Sequence, residues 1–290
     1  MTRPDDLFFS PDAPFGGAGS VRVTWLGTAG FAVERDGHVV LLDPYLTRAS
    51  LSRCLWAPLR ADAALAQRLV PRADAIVLSH THFDHALDVP VIARQTGARV
   101  FGSRSAVHLC RSHGLPGTQV ACVEPDAGSA PREAEVGPFR LRFWPSAHSA
   151  VFLGRVPFAG EIADCTDVPM RTEAYRCGAV FSTEIEVGGR RLFHVGSAEL
   201  VERGWHVKPV DLALACVAGW TSTERYPERL VAALSPGAVL LHHWDNFLHG
   251  MDSAARALPG MRFAALVDRL DAAVPRLPVG ALPLLGTLAL

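Results

Sequence analysis

Apolar residues along this chain fall into short runs rather than long helical stripes. Residues 75–78 (Ala-Ile-Val-Leu) form a continuous apolar run, the pattern of a strand buried on both faces. Residues 212–217 and 239–241 read the same way, and 99–101 and 120–123 are shorter strands. Residues 139–144 instead alternate Phe139, Leu141 and Phe143 against Arg140 and Arg142, so this strand is half exposed. Residues 21–26 and 31–33 predict a first hairpin around Gly27 and Gly30, and 39–42 a strand ending at Asp43-Pro44. Residues 181–187 and 191–195 flank Gly188-Gly189, a hairpin turn. Helices are expected over 62–69, ahead of Pro71, and over 89–95 and 105–112, stopped by Gly97 and Gly114. Two more are expected over 227–234 and 263–272. A hairpin opens each half and strand–helix alternation follows. Two sheets packed face to face with helices outside, an αββα sandwich of α/β class, would bury all of these apolar faces.

No linker marks a second globular unit. We expect an N-terminal arm over 1–20 and one domain over 21–290. Residues 150–178 lack periodicity and contain Pro157 and Pro169, yet Phe152, Phe158, Met170 and Tyr175 argue against disorder. We read this insertion as a lid or pocket wall. The apolar stretch 277–290 is broken by Pro278 and Pro283 and is too short to span a bilayer. It reads as a closing strand or hairpin.

The chemistry concentrates where the run 75–78 ends. His80-Thr81-His82-Phe83-Asp84-His85 places three imidazoles and a carboxylate within six residues. On an extended strand end His80 and His82 point to one side, since side chains repeat with period two. Asp84 and His85 follow once the chain turns and face a second point nearby. Imidazole and carboxylate suit zinc and similar divalent ions, so the cluster is half of a metal site. A solvated loop rich in histidine is the bland alternative, and the concentration of ligand types behind a core strand weighs against it. Zinc needs about four ligands, so partners must come from elsewhere. His148 follows the strand 139–144, and His242 and His243 follow 239–241; loops at strand ends gather on one edge of a layered sheet.

Composition narrows the field. The 290-residue chain is 49% hydrophobic, which is ample for a core, and its formal net charge is −1. That balance argues against a nucleic-acid footprint or electrostatic membrane binding. Lys208 is the only lysine, a bias that reads as coding composition rather than function. The six cysteines, at 54, 110, 122, 165, 177 and 216, include no C-x-x-C pair. They fit reduced thiols in a cytoplasmic protein. The N-terminal segment carries Asp5, Asp6 and Asp12 and lacks the basic-then-apolar pattern of a secretory signal.

With its later histidines the cluster resembles the metallo-β-lactamase-fold hydrolases, whose signature is H-x-H-x-D-H. The resemblance runs through nearly the whole chain, including Val23-Thr24-Trp25-Leu26-Gly27, Asp43 closing an early strand, and Trp244-Asp245-Asn246-Phe247. It implies that His80, His82 and His148 bind one metal and that Asp84, His85 and His243 bind a second. Asp43 would then be an acceptor orienting a ligand histidine. His243 is preferred to His242 because the family's last histidine stands directly before an aromatic-Asp pair. One departure matters: where most members carry a metal-bridging aspartate, this chain has Ser197. Either Glu199, one turn further, substitutes, or the ions are bridged by hydroxide alone, or only one site fills; weakened binding of two ions is the expectation.

The resemblance implies a metal-dependent hydrolase with Zn2+ as cofactor (one or two ions), Mn2+ or Fe2+ being alternatives. A bound metal lowers the pKa of water to about 7 and so supplies hydroxide at neutral pH. Asp84 and His243 are the candidates for handling protons. The chain looks closest to the branch containing sugar-phosphate lactonases and N-acyl-phosphatidylethanolamine-type phosphodiesterases. A small ester, lactone, amide or phosphodiester is the expected substrate. A nuclease is disfavoured by the neutral charge. A biosynthetic tailoring enzyme with non-hydrolytic metal chemistry and a metal-binding non-catalytic protein remain as other readings, and Ser197 keeps the latter in play.

Overall fold

The computed structural model describes residues 4–10, 15, 20–125, 130–151 and 153–290. Its first sheet is built from β1 (Arg22–Gly27), β2 (Gly30–Arg35), β3 (His38–Leu42), β4 (Ala75–Val77), β5 (Arg99–Gly102) and β6 (Val120–Cys122). The second is built from β7 (Arg132–Val136), β8 (Phe139–Ser146), β9 (Val180–Val187), β10 (Arg190–Val195), β11 (Leu212–Cys216) and β12 (Ala238–His242). β13 (Val279–Gly280) and β14 (Thr287–Ala289) close the chain. The strand orders are β14-β1-β2-β3-β4-β5-β6 and β13-β12-β11-β10-β9-β8-β7. In each sheet the early strands pair antiparallel and the later ones parallel. The two tail strands do not form the hairpin that the apolar tail allowed. β14 pairs antiparallel with β1 and β13 parallel with β12, so the tail adds one strand to the edge of each sheet.

Helices α1 (Leu51–Trp56), α2 (Ala63–Leu69), α3 (Phe83–Ala86), α4 (Val89–Thr96) and α5 (Arg104–Ser112) belong to the first half, and α6 (Tyr226–Leu234) and α7 (Phe263–Ala273) to the second. The period of β4 shows how the layers form. Ala75 and Val77 join the core between the sheets, with Phe143, Ile185 and Leu214, while Ile76 and Leu78 join the core under the helices, with Ile92, Ala106 and Leu109. Burying both faces explains why this strand reads as unbroken hydrophobicity. Local caps set the helix starts: Asp62 accepts from the Leu65 amide (2.9 Å) ahead of α2, and Ser103 from the Ala106 amide (3.3 Å) ahead of α5.

Residues 150–178 hold no strand or α-helix among the described residues, and Phe152 lies outside them. The segment is nevertheless tied down. Ile162, Met170 and Tyr175 are buried against the helix-side core, and the Thr81 amide donates to the Cys177 carbonyl (3.0 Å). Of the residues expected in the N-terminal arm, Pro4–Leu7 form a 3-10 turn and Phe9 pairs with Ala281 at 3.0 Å. No helix among the described residues is long and apolar enough to cross a membrane.

Candidate metal centre

β4 ends at Val77 and the chain bends at Ser79 before reaching His82, which occupies the N-cap position of α3 with φ −61° and ψ 152°. His80 and His82 face one point, their rings 4.8 Å apart, and Asp84 and His85 emerge from the first turn of α3. His148 follows the end of β8, and His243 follows β12 with φ +57°, a left-handed turn that swings it away from the strand. The geometry separates the paired histidines at the end of β12. His242 is fully buried between the rings of Phe31 (5.3 Å) and His194 (5.1 Å), whereas His243 lines a cavity.

The six residues fall into two groups. The ligand atoms of His80, His82 and His148 lie within 4.8 Å of one another, as do those of Asp84, His85 and His243. The rings of the first group stand 4.7–4.9 Å apart, a nearly equilateral triangle. His80 and His85, at 3.8 Å between centroids, join the two groups.

Hydrogen bonds fix the free nitrogen on four of the imidazoles. His148 Nδ1 donates to the Ser149 carbonyl (2.8 Å), leaving Nε2. His82 Nε2 donates to the Pro157 carbonyl (2.9 Å), leaving Nδ1. His85 Nδ1 donates to Asp43 Oδ2 (2.9 Å). Ser79 Oγ gives its one proton to Asp43 Oδ2, so His80 Nδ1 must donate to that Oγ (3.0 Å). His80 Nε2 is then a buried lone pair with no hydrogen-bond partner. One carboxylate, Asp43, thus stands behind a histidine of each group: directly behind His85, and through Ser79 behind His80. It also accepts from the Ser79 amide (2.7 Å). An orphaned lone pair among imidazoles that present unprotonated nitrogens, with carboxylate and carbonyl supports behind them, suits a divalent cation.

Electrostatics agree with that donor set. Burial, reinforced by the surrounding histidines, pushes His80 well below the ordinary imidazole range, and the same causes take His148 down to about 3. Both are neutral and available at neutral pH. Burial works against ionising Asp84, but His85 and the hydrogen-bonded His243 (Nε2 to Oδ2, 3.4 Å) outweigh it and hold the carboxyl below its usual range. His85 is also penalised by burial, yet Asp43 and Asp84 raise it.

Ser197 lines the same cavity, and its Oγ accepts from the Ser149 amide (3.1 Å). Glu199 is not brought there. Its carboxylate accepts from the Leu200 amide (2.9 Å) and Thr223 Oγ1 (3.0 Å), with Arg229 3.8 Å away, so it serves the neighbouring loop instead. Ser79 and the Pro157 carbonyl were not singled out by sequence reasoning. A serine beside a ligand histidine is a weak signal, and a backbone carbonyl gives none.

The cavity holds about 400 Å3. Beyond the polar cluster its walls are Phe83, Val151, Phe158, Phe247, Leu258 and Met261, with Thr221 and Ser222 as further hydroxyls. Cys216 also lines it, but burial pushes that thiol far above its ordinary range, so it holds its proton.

Comparisons with known proteins agree with this picture. The model of a family described as the beta-lactamase superfamily domain matches residues 38–267. A metal-dependent hydrolase of Anaeromyxobacter sp. (strain K) is 27% identical over 241 residues, spanning 81% of this chain and 78% of that protein. Igni18, a metallo hydrolase from the archaeon Ignicoccus hospitalis, superposes with a TM-score of 0.56 at 18% identity, over 93% of this chain and 99% of its own. CmlA, a diiron beta-hydroxylase from Streptomyces venezuelae, superposes with a TM-score of 0.61 at 16% identity, over 94% of this chain and 54% of its own. At those identities the two superpositions speak for the fold.

Proposed function

This chain belongs to the beta-lactamase superfamily and is a metal-dependent hydrolase, and from that premise we propose that it cleaves a small ester, lactone, amide or phosphodiester at the centre built on His80 and Asp84. His80, His82 and His148 hold one cation; Asp84, His85 and His243 hold a second. Zinc is the expected ion, with manganese or iron as alternatives. When bound, such an ion acidifies water to a pKa of about 7 and polarises the bond under attack.

The chain's own groups do the rest. Asp84, kept ionised by His85 and His243, accepts a hydrogen bond from the attacking water and orients it. His243, 3.4 Å from Asp84, would pass a proton to the departing oxygen or nitrogen only in the form that holds a single ion at the His80 group, because its Nε2 cannot bind an ion and carry a proton at once. Asp43 holds His85 and His80 in the tautomers that expose Nε2. Ser197 brings a hydroxyl and no charge to the cavity, so the Asp84 group retains its ion less strongly than an added carboxylate would allow. Cys216 is no competing nucleophile while its thiol stays protonated.

The observation that carries this reading is the orphaned His80 Nε2, buried among two further imidazoles whose protonated nitrogens point away from it. The test is to load the purified chain with zinc, manganese or ferrous iron, count ions by mass spectrometry, and assay a panel of lactones, esters, amides and bis-phosphodiesters. Loaded protein is expected to turn over at least one class, and H82A and H148A to lose both an ion and activity. Full turnover by H148A, or metal-loaded protein inert across the panel, would refute the proposal.

A further inference from the structure

The histidine–aspartate cluster forms only part of the cavity's lining, and the composition of the remainder limits what can enter. Resting on the hydrolytic reading above, we infer that the substrate is an uncharged acyl compound, an ester, lactone or amide, whose substituent away from the scissile bond is hydrocarbon.

Three observations converge. First, no arginine or lysine is among the described residues lining the cavity; every titratable side chain there belongs to the histidine–aspartate cluster apart from the protonated thiol of Cys216. A phosphate or carboxylate carried at a distance from the reacting bond would lose its water and meet no cation, and burying an unpaired charge is among the costliest steps in binding. This is notable in a chain with 28 Lys and Arg residues. Pairs such as Arg142–Glu133, Arg229–Glu202 and Arg269–Glu228 show them answering carboxylates elsewhere. Second, the lining beyond the cluster is aromatic and aliphatic, with Phe158 from the 150–178 insertion and Phe247, Leu258 and Met261 from the connection between β12 and α7. Such walls reward apolar area removed from water. Third, the uncommitted polar groups are neutral hydroxyls: Thr221 and Ser222, on the short turn after β11, are suited to a carbonyl or ring oxygen rather than to an anion. The volume of about 400 Å3 lies within the range of small-ligand pockets.

Phe158 is the specificity-determining position this predicts. Its ring stands 6.4 Å from that of His82, so it is the apolar neighbour on the entrance side of the first histidine group, and it remains 39% exposed. A cation placed there sits within reach of a substrate tail without burying an unpaired charge.

The test uses matched pairs on the metal-loaded chain. Substrates are a neutral alkyl ester or lactone and the same compound with a terminal carboxylate. Inhibitors are hexanohydroxamic acid and its counterpart bearing a terminal carboxylate, which share a chelating head and differ only in the charge of the tail. Wild type is expected to favour the neutral member of each pair by at least tenfold, in kcat/KM and in calorimetric Kd. F158R is expected to shrink or invert that ratio while metal content stays the same. Equal or better handling of the charged members by wild type, or an unchanged ratio in F158R, would overturn the inference and leave the hydrolytic reading standing. Turnover of bis-phosphodiesters alone would likewise overturn the inference; failure to hydrolyse any member of the panel, phosphodiesters included, would sink the hydrolytic reading instead, and the hydroxamate pair would still decide the character of the pocket.

Discussion

Replacing Asp43 with asparagine tests the support of the centre with almost no change of shape. Asp43 is fully buried and accepts three hydrogen bonds: from the Ser79 amide, from Ser79 Oγ and from His85 Nδ1. An asparagine that keeps its oxygen toward the Ser79 amide must turn its NH2 toward the other two donors. Hydrogen bonds to a charged acceptor contribute about 1.5–3 kcal/mol each, so leaving both unmade would cost about 3–6 kcal/mol. Both partners can adapt, however. The Ser79 hydroxyl can rotate to accept, and His85 can move its proton from Nδ1 to Nε2. The loss of stability then falls to about 2 kcal/mol, while the damage moves to the metal. His85 Nε2, which faces Asp84 at 4.0 Å, would carry a proton where it must offer a lone pair. Losing such an orienting acceptor typically costs 10–100-fold in metal affinity. We expect D43N to fold, with its weaker ion lost about 10–100-fold more readily in chelator competition and kcat/KM falling in step. Wild-type affinity for both ions in D43N would refute the reasoning, because it would mean that the tautomer of His85 is set elsewhere.

Other consequences are equally direct. Arg48 and Asp245 form a buried ion pair in which Asp245 also accepts from the Thr28 amide (3.0 Å); R48A, which strands the carboxylate, should cost about 3–5 kcal/mol in urea unfolding, and a loss below 1 kcal/mol would contradict the pairing. A Cβ added at Gly196 would stand 2.1 Å from Ser79 Oγ, so G196A should displace Ser79, destabilise by about 1–3 kcal/mol and weaken ion binding; unchanged metal affinity would argue that Ser79 is not held between Asp43 and His80. Burial raises Asp88 to about 6, against the opposing hydrogen bonds of Thr47 and Leu46. Its native pKa exceeds the unfolded value of 3.8, so the native state holds this proton more tightly. That contribution is complete below about pH 4 and is lost as pH rises through 6, to a total of about 3 kcal/mol. The melting temperature of wild type relative to D88N should therefore fall between pH 4.5 and 7, and a pH-independent difference would show that Asp88 titrates normally.

The histidine cluster was legible because its meaning is local. An apolar strand runs straight into ligand residues, and period two places His80 with His82. His148 and His243 were legible as residues following strands, although the preference for His243 came from the family resemblance; the left-handed turn at His243 that parts it from His242 has no sequence signature in a non-glycine residue. Elements whose residues do not bury an apolar face went unread. β7 is an edge strand bearing Arg132, Glu133 and Glu135, so hydrophobicity does not alternate along it. α1 leaves Leu51, Leu55 and Trp56 exposed, the reverse of an amphipathic helix. The tail does read as a closing strand or hairpin, but nothing local to β13 and β14, at two and three residues, tells that they join different sheets. Glu199 was placed by spacing alone, and spacing does not reveal that Thr223 and the Leu200 amide already occupy its carboxylate.

The six polar residues at the centre come from both layers of the sandwich. Four follow β4 in the first sheet; His148 and His243 follow β8 and β12 in the second. A cation held between His80, His82 and His148, as proposed, would rivet one half of the molecule to the other. A nascent chain whose layers have not yet met offers each ion an incomplete set of donors, so loading waits on assembly. Once loaded, an ion present at a hundred times its dissociation constant adds about 2.7 kcal/mol against the layers parting.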